Sequence, residues 1–144
     1  MTEERFTDLR RVLSGARVIA VLGAHHEPHR PAFYVPEYMH MQGARILPVN
    51  PQLVGRTLWG EPVSATLAEL GAPVDVVDVF RRSELLEGHL DDLLAMSPRP
   101  PVVWLQQGIA HAGFSARLRA AGIEVIEDRC MLADHRRLQL GRIQ

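Results

Sequence analysis

The sequence predicts an α/β fold: a doubly wound, Rossmann-like parallel sheet of about five main strands, with helices on both faces. Short apolar runs rich in β-branched residues alternate along the chain with segments of helical pattern. No linker-like segment divides the chain. Because strands that alternate with helices are joined by right-handed crossovers, we expect the strands to be parallel.

Five apolar runs are predicted to be strands, since each is short and is closed by turn residues. In chain order they cover residues 17–22, 44–49, 74–80, 101–105 and 123–126. Runs of this kind are typical of strands that are covered on both faces, as in a parallel sheet.

Helical patterns precede the first run and fill most of the spaces between the others. The clearest predicted helices cover residues 4–13, 33–42 and 114–121. Gly43 and Gly122 follow the last two and are suitable residues for ending a helix. Pro36 is tolerated only near a helix start, so the regular helix should begin no earlier than about Phe33.

Two further segments carry weaker patterns. Ser83 is a candidate N-cap for a helix that ends before Pro98 and whose apolar stripe is Leu86, Leu90, Leu93 and Leu94. The less regular segment 52–70 is expected to hold a short edge strand near Val63 and a short helix near Leu67.

Composition excludes several classes of protein. The 144 residues suit one domain, and a net charge of −1 predicts no nucleic-acid partner. The single cysteine, Cys130, precludes an internal disulfide and favours a cytoplasmic location. No apolar run approaches the roughly 18 residues of a membrane span, so no membrane association is expected. The N-terminal segment 1–6 lacks the pattern of a signal peptide.

The predicted ligand site lies beyond the carboxyl ends of the strands, where ligands bind in open parallel sheets. The loop after the first strand, residues 23–30, is the most informative. Gly23 allows a sharp turn, and the helix that follows directs free N–H groups at the site, which suits a pyrophosphate. Arg30 is a candidate for a bidentate phosphate contact, the alternative being a solvated surface arginine.

Other chemistries find less support in the sequence. The GxGxxG fingerprint is absent, and Asn50 stands where NAD-binding domains carry an acidic residue, so a nicotinamide cofactor is disfavoured. His25, His26 and His29 suggest either a metal site or ring N–H donors to phosphate. No matching cysteine or carboxylate motif accompanies them, so we expect no metal.

Catalytic motifs are also lacking. Neither a GxSxG elbow nor a P-loop is present. Asp75 and Asp78 are three residues apart in a predicted strand, so they should point to opposite faces and not form a carboxylate pair.

Six motifs follow one another at the strand ends. They are Val21-Leu22-Gly23-Ala24, Arg30-Pro31, Leu47-Pro48-Val49-Asn50-Pro51, residues 74–81, residues 103–109, and Glu127-Asp128-Arg129-Cys130 with His135 and Leu138 beyond. In this order they resemble the small stand-alone CoA-binding proteins, which are similar to the N-terminal CoA-binding domain of succinyl-CoA synthetase α-subunits. The resemblance runs from about Phe6 to Leu138.

The resemblance implies that residues 1–144 form a single CoA-binding domain with coenzyme A as its ligand. It assigns the phosphates to Gly23, Ala24, His25 and Arg30, and it includes the adjacent Pro31 among the CoA-binding residues. It assigns the adenosine side to Asn50 and Pro51, the nucleotide cleft to Phe80 and Arg81, and the pantetheine path to Gln107, Gly108 and Ile109.

The resemblance stops short of catalysis. The synthetase's second domain, with its phosphorylated histidine, and its ATP-grasp partner have no counterpart in this sequence. The expected function is therefore a non-catalytic binding or regulatory module for CoA or an acyl-CoA. The alternatives are an NAD(P)-binding oxidoreductase-type domain and an interaction protein with a vestigial cleft. Cys130 is also a candidate for a mixed disulfide with CoA, and exposed apolar helix faces would allow a homodimer.

Overall fold

The computed structural model describes residues 3–143, with side chains from residue 8 onward. The described residues do not include Met1, Thr2 and Gln144. Met1 and Thr2 belong to the segment that was predicted not to be a signal peptide. In chain order the strands are β1 (Val18–Leu22), β2 (Arg45–Val49), β3 (Thr57–Leu58), β4 (Glu61–Pro62), β5 (Val76–Val79), β6 (Val102–Leu105) and β7 (Glu124–Ile126). All five predicted strands are confirmed, and β3 and β4 form an additional short hairpin.

The five main strands form one parallel sheet in the order β2-β1-β5-β6-β7. The chain first winds from β1 to β2 at one edge, then returns past β1 to β5 and continues to β7. The winding direction therefore reverses between β1 and β5, which pair from Ile19–Val76 to Leu22–Val79. In sheets of this topology a crevice opens beyond the carboxyl ends of the strands at such a reversal.

Helices cover both faces of the sheet, as predicted. They are α1 (Glu3–Ser14), α2 (Pro31–Met41), α3 (Leu90–Leu94), α4 (Ala112–Ala120) and α5 (Met131–Arg137). Leu13, Met39 and Met131 belong to the core on one face, which includes Trp104. Residues of α3 and α4 pack in the core on the other face, among them Leu93. Among the described residues, no helix combines the length and apolar character needed to cross a bilayer.

The start of α2 differs from the prediction. The helix begins at Pro31, two residues before Phe33, because a proline at the first helical position needs no hydrogen-bond partner for its nitrogen. Pro36 lies inside the helix and leaves the Ala32 carbonyl without its usual helical donor. That carbonyl accepts a hydrogen bond from the backbone N–H of His25 instead, at 3.3 Å. The internal proline thus lets α2 anchor the loop that follows β1.

The prediction of a Ser83-capped helix is wrong in its details. A 3₁₀ segment, Ser83–His89, precedes a short α3, and its N-cap position is Arg82. The Ser83 hydroxyl accepts a hydrogen bond from the Ala110 N–H at 3.1 Å, so it joins two loops rather than capping a helix. The three leucines Leu86, Leu90 and Leu93 are buried as the stripe predicted.

The segment 52–70 also differs from the prediction. Leu67 lies in a non-helical turn, where its N–H donates to the Asp92 carboxylate at 2.8 Å. The short strand expected near Val63 is present as β4, which ends at Pro62 and pairs with β3, and Ser64 makes a single bridge to Val49 at the edge of the main sheet. Helix α5 was not predicted at all.

Candidate functional site

A cavity of about 710 Å³ lies beyond the carboxyl ends of the strands, over the reversal between β1 and β5. Its volume falls within the ~300–1,000 Å³ typical of small-molecule sites. The structure brings together ten residues that the sequence nominated: Gly23, His25, Arg30, Pro31, Asn50, Phe80, Arg81, Gln107, Gly108 and Ile109. The two others do not line the cavity, since Ala24 is buried in the core and Pro51 is exposed outside it.

Gly23 sets the shape of the loop after β1. Its φ is +86°, a left-handed conformation that favours glycine. A Cβ at this position would lie 2.7 Å from the carbonyl oxygen of Phe80, at the end of β5. Only glycine therefore lets the first loop pass this close to the neighbouring strand.

Asn50 joins the loops that follow β1 and β2. Its Nδ2 donates to the Ala24 carbonyl at 2.9 Å, and its Oδ1 accepts from the Gln52 N–H at 2.9 Å. An aspartate would supply the acceptor but not the donor. The position that binds ribose in NAD-dependent domains is thus taken here by a structural amide, which further disfavours NAD.

The histidines of the first loop belong to its hydrogen-bond network. The Nδ1 of His25 accepts from the Glu27 N–H at 3.1 Å, and the ring stacks on His26 with 4.9 Å between centroids. Burial, and then the charge of Arg30, lowers the pKa of His25, so this ring is neutral at neutral pH. Its proton is then on Nε2, which makes His25 a donor at the cavity wall. In the described part of the chain, no cluster of three or more histidine, cysteine or acidic residues is arranged to hold a metal ion.

Arg30 precedes α2 and is paired within its own loop. Its Nε donates to Glu27 Oε2 at 3.2 Å, and His29 lies 3.5 Å from the same carboxylate. The hydrogen bond from Arg30 lowers the pKa of Glu27, so this carboxylate is ionised at neutral pH. A phosphate at Arg30 would have to compete with Glu27 for the guanidinium group.

Arg81 follows β5 on the opposite side of the reversal. Its Nε donates to Nε2 of His89 at 3.2 Å, which requires a neutral imidazole. Burial, followed by the charge of Arg81, lowers the pKa of His89, so it remains an acceptor at neutral pH. The 3₁₀ segment that contains His89 thereby fixes the arginine at the cavity wall.

The loops after β6 and β7 form the far wall and are bonded to each other. The Gly108 N–H donates to the Asp128 carboxylate at 2.6 Å, and the Asp128 N–H donates to the Ile109 carbonyl at 3.1 Å. Asp128 itself has a φ of +55°. Gln106 Oε1 accepts from the Met131 N–H at 3.0 Å. These contacts hold Cys130 at the cavity edge.

The lining also contains residues that were not among the predicted CoA-binding residues, although Cys130 was already a candidate for a mixed disulfide with CoA. They are Ala32, Tyr34, Val35, Gln52, Arg82, Ser83, Glu84, Gln106 and Cys130. Gln106 had the clearest available signal, because it is the first residue after β6 and opens the same loop as Gln107. Tyr34 and Val35 lie in the first turns of α2. They were not predicted because their position relative to the cavity depends on the residue at which α2 begins.

A doubly wound parallel sheet with a polar cavity over its reversal places this chain among the Rossmann-like α/β domains, in which ligands bind at that position. Comparison with known protein families identifies one family. The model of the family described as CoA binding domain matches residues 17–136, which is most of the chain. The chain therefore belongs to the CoA-binding domain family, as its motifs predicted.

Relatives extend over nearly the whole length of the chain. The uncharacterized protein YneT of Bacillus subtilis (strain 168) is 35% identical over 128 residues, which are 89% of this chain and 92% of YneT. The solved structure of cell-free ID.343 from Thermus thermophilus is 50% identical, with a TM-score of 0.88 over 92% of this chain and 98% of the other. A hypothetical protein from Pyrococcus horikoshii OT3 is 27% identical, with a TM-score of 0.85 over 93% and 92% of the two chains.

Proposed function

We propose that residues 1–144 form one domain that binds coenzyme A or an acyl-CoA in the cavity over the β1–β5 reversal, as a non-catalytic binding or regulatory module. The observation that carries this proposal is the cavity itself, which is lined by ten of the twelve residues nominated from CoA-binding motifs. Membership in the CoA-binding domain family supports CoA over other nucleotides.

The charge distribution supports one direction for the ligand. Arg30, Arg81 and Arg82 line the side of the cavity formed by the ends of β1 and β5. Arginine is well suited to phosphate because its planar group can make paired, charge-assisted hydrogen bonds. The first turn of α2 adds a single backbone donor, the Ala32 N–H, because Pro31 has no N–H and the Phe33 and Tyr34 N–H groups donate to the Arg30 carbonyl at 2.9 Å. We place the diphosphate and the 3′-phosphate there, and the uncharged pantetheine arm along the loop after β6.

The proposal is tested by isothermal titration calorimetry with CoA, acetyl-CoA, NAD and ATP. We expect binding of CoA or acetyl-CoA at sub-millimolar concentration and weaker or no binding of NAD. Absence of heat with both CoA species would overturn the proposal. Native mass spectrometry of freshly purified protein gives an independent measurement, because a retained ligand identifies itself by its mass.

Replacing the phosphate-facing arginine should weaken binding. For Arg30→Ala we expect CoA affinity to fall about tenfold, the effect of losing one charge-assisted hydrogen-bonding group. Titration with dephospho-CoA locates the contact: a smaller loss with dephospho-CoA assigns Arg30 to the 3′-phosphate, and an equal loss assigns it to the diphosphate. Arg117→Ala, on the exposed face of α4, is the control and should leave both affinities unchanged. Unchanged affinity for both ligands in Arg30→Ala would remove Arg30 from the site.

Removing the acid that pairs with Arg30 should have the opposite effect. In Glu27→Gln, a phosphate no longer competes with a carboxylate for the guanidinium group, and one negative charge leaves the neighbourhood of an anionic ligand. We expect CoA affinity to rise about two- to fivefold, a size typical of one exposed charge, with the gain shrinking at high salt. Glu37→Gln makes the same charge change on α2 outside the cavity lining and should have little effect. A loss of affinity in Glu27→Gln would show that Glu27 positions Arg30 rather than competing for it.

A further inference from the structure

We infer that Cys130 is a covalent capture site that reacts with CoA disulfide, so that the cavity retains one CoA as a mixed disulfide. The inference rests on the proposed function. Cys130 is the chain's single cysteine, it is half-buried, and it lies in the cavity lining together with Gln106 and Ile109. The cysteine is free.

Gln106 supplies an independent sign that this wall binds a ligand. Its side chain lies in the cavity lining although the residue is only 4% exposed. Its Oε1 is occupied by the Met131 N–H at 3.0 Å, which fixes the orientation of the amide. Its Nε2 has no hydrogen-bond partner among the described residues and is not enclosed by protein, so this donor opens on the cavity. A buried amide donor that the protein leaves unused fits a ligand carbonyl, and the pantetheine arm carries amide carbonyls close to its thiol.

The distribution of charge in the cavity favours a position of the CoA thiol beside Cys130. The cavity arginines stand at the ends of β1 and β5, whereas the wall made by Gln106, Gln107, Gly108, Ile109 and Cys130 is uncharged. Arg129, which precedes the cysteine, is held by Asp134 through two hydrogen bonds of 2.6 and 2.7 Å. Because that guanidinium group is paired with a buried carboxylate, it does not draw the phosphates to this side. The uncharged arm of CoA then leads to Cys130.

The capture step is a thiol–disulfide exchange. The Cys130 thiolate attacks one sulfur of a CoA disulfide, a new bond forms between Cys130 Sγ and that CoA sulfur, and the original S–S bond breaks. The second CoA leaves as a thiolate and takes up a proton. One disulfide is consumed and one is formed, so no further oxidant is needed.

The test is intact-mass spectrometry of the protein at timed intervals after mixing with CoA disulfide or with glutathione disulfide at equal concentration. We expect one CoA adduct, mapped to Cys130, that forms at least about tenfold faster than the glutathione adduct because binding raises the local concentration of the reacting sulfur. Excess desulfo-CoA, which competes for the cavity, should slow formation of the CoA adduct. Cys130→Ser should form neither.

Gln106→Glu separates a ligand-positioning role of Gln106 from a purely structural one. The carboxylate can still accept from the Met131 N–H, but the amide donor is replaced by an acceptor. The new carboxylate also acts on the reactivity of the thiol, and the glutathione-disulfide rate measures that general effect. We expect the CoA-disulfide rate to fall about three- to tenfold further than the glutathione-disulfide rate, the effect of one lost hydrogen bond.

Two results would overturn the inference. Equal rates of adduct formation with CoA disulfide and glutathione disulfide would mean that Cys130 is only an accessible thiol. If no adduct forms with CoA disulfide, Cys130 does not react with it. Calorimetry with reduced CoA on Cys130→Ser keeps the two hypotheses apart, since this variant should still bind CoA. If it binds CoA while the wild type shows no preference for CoA disulfide, the capture site fails and the proposed function stands.

Discussion

Gly23→Ala is expected to destabilise the domain by about 1–2 kcal/mol from its left-handed backbone and by about 1–3 kcal/mol more from overlap with β5. The second contribution arises because the added Cβ would lie 2.7 Å from the Phe80 carbonyl oxygen and 3.1 Å from Arg81 Cδ. Backbone cannot yield as a flexible side chain can, so the end of β5 must shift. That shift moves Arg81 and closes the cavity at its centre, and we expect CoA affinity to fall by at least about tenfold.

Gly122→Ala is the matched control for this prediction. Gly122 has a φ of +83°, nearly the same as that of Gly23, but a Cβ there would meet no atom within 4 Å. It follows α4, away from the cavity lining. Urea unfolding should therefore show the backbone cost in both variants and the overlap cost in Gly23→Ala alone, and calorimetry should show a binding loss in Gly23→Ala alone. Equal destabilisation with intact CoA binding in both would contradict the prediction.

The strands were predictable because each is buried on both faces and so carries a nearly continuous apolar run. Val76, Val77 and Val79 show this in the central strand β5, where the two faces join different cores. The site location followed from the same reasoning, since parallel strands bring their carboxyl ends to one edge of the sheet. The alternation of strands and helices does not predict how the side chains within each loop are arranged.

The failures trace to contacts between distant segments. Helix α5 escaped prediction because it is short and buries Asp134 and His135 on the side where an apolar stripe would be expected. Asp134 is stabilised there by Arg129, and His135 by a 2.7 Å hydrogen bond with the Tyr38 hydroxyl, neither of which a local pattern reveals. Ser83 has the chemistry of an N-cap, but its nearest available donor comes from the loop after β6.

Asp78 is the residue with the largest expected effect on the pH dependence of stability. The sequence placed Asp75 and Asp78 in one strand, but β5 begins at Val76, and only Asp78 is inside the sheet. It is 1% exposed, and its Oδ1 has no hydrogen-bond partner among the described residues. Burial raises the pKa of this carboxyl well above its usual value of 3.8. An ionised carboxylate in such a place is costly, so the folded protein binds a proton here that the unfolded chain releases.

The sign of the effect follows from proton linkage. Between pH 3.8 and the raised pKa, the folded state holds more protons than the unfolded state, so the free energy of unfolding falls as pH rises. Asp78→Asn keeps the shape and abolishes the titration. We expect the variant to gain stability at pH 7 by at most about 4 kcal/mol, which is 1.36 kcal/mol for each pH unit above the normal pKa. Below about pH 3 the two proteins should differ little, since both side chains are then neutral.

Urea unfolding of the wild type and Asp78→Asn at several values between pH 4 and pH 8 measures this slope. Asp75→Asn is the matched control, because Asp75 accepts hydrogen bonds from the Arg17 and Val18 N–H groups at 3.1 and 2.9 Å. That variant weakens contacts that the carboxylate makes, so we expect it to lose up to about 1 kcal/mol rather than gain stability. A difference between wild type and Asp78→Asn that stays constant with pH would show that Asp78 does not titrate inside the sheet. Asp78 lies directly between Val21 of β1 and Trp104 of β6, two residues before Phe80 in the cavity wall. If Asp78→Asn is stabilising, the central strand keeps an acidic residue at this position at a cost to the stability of the fold.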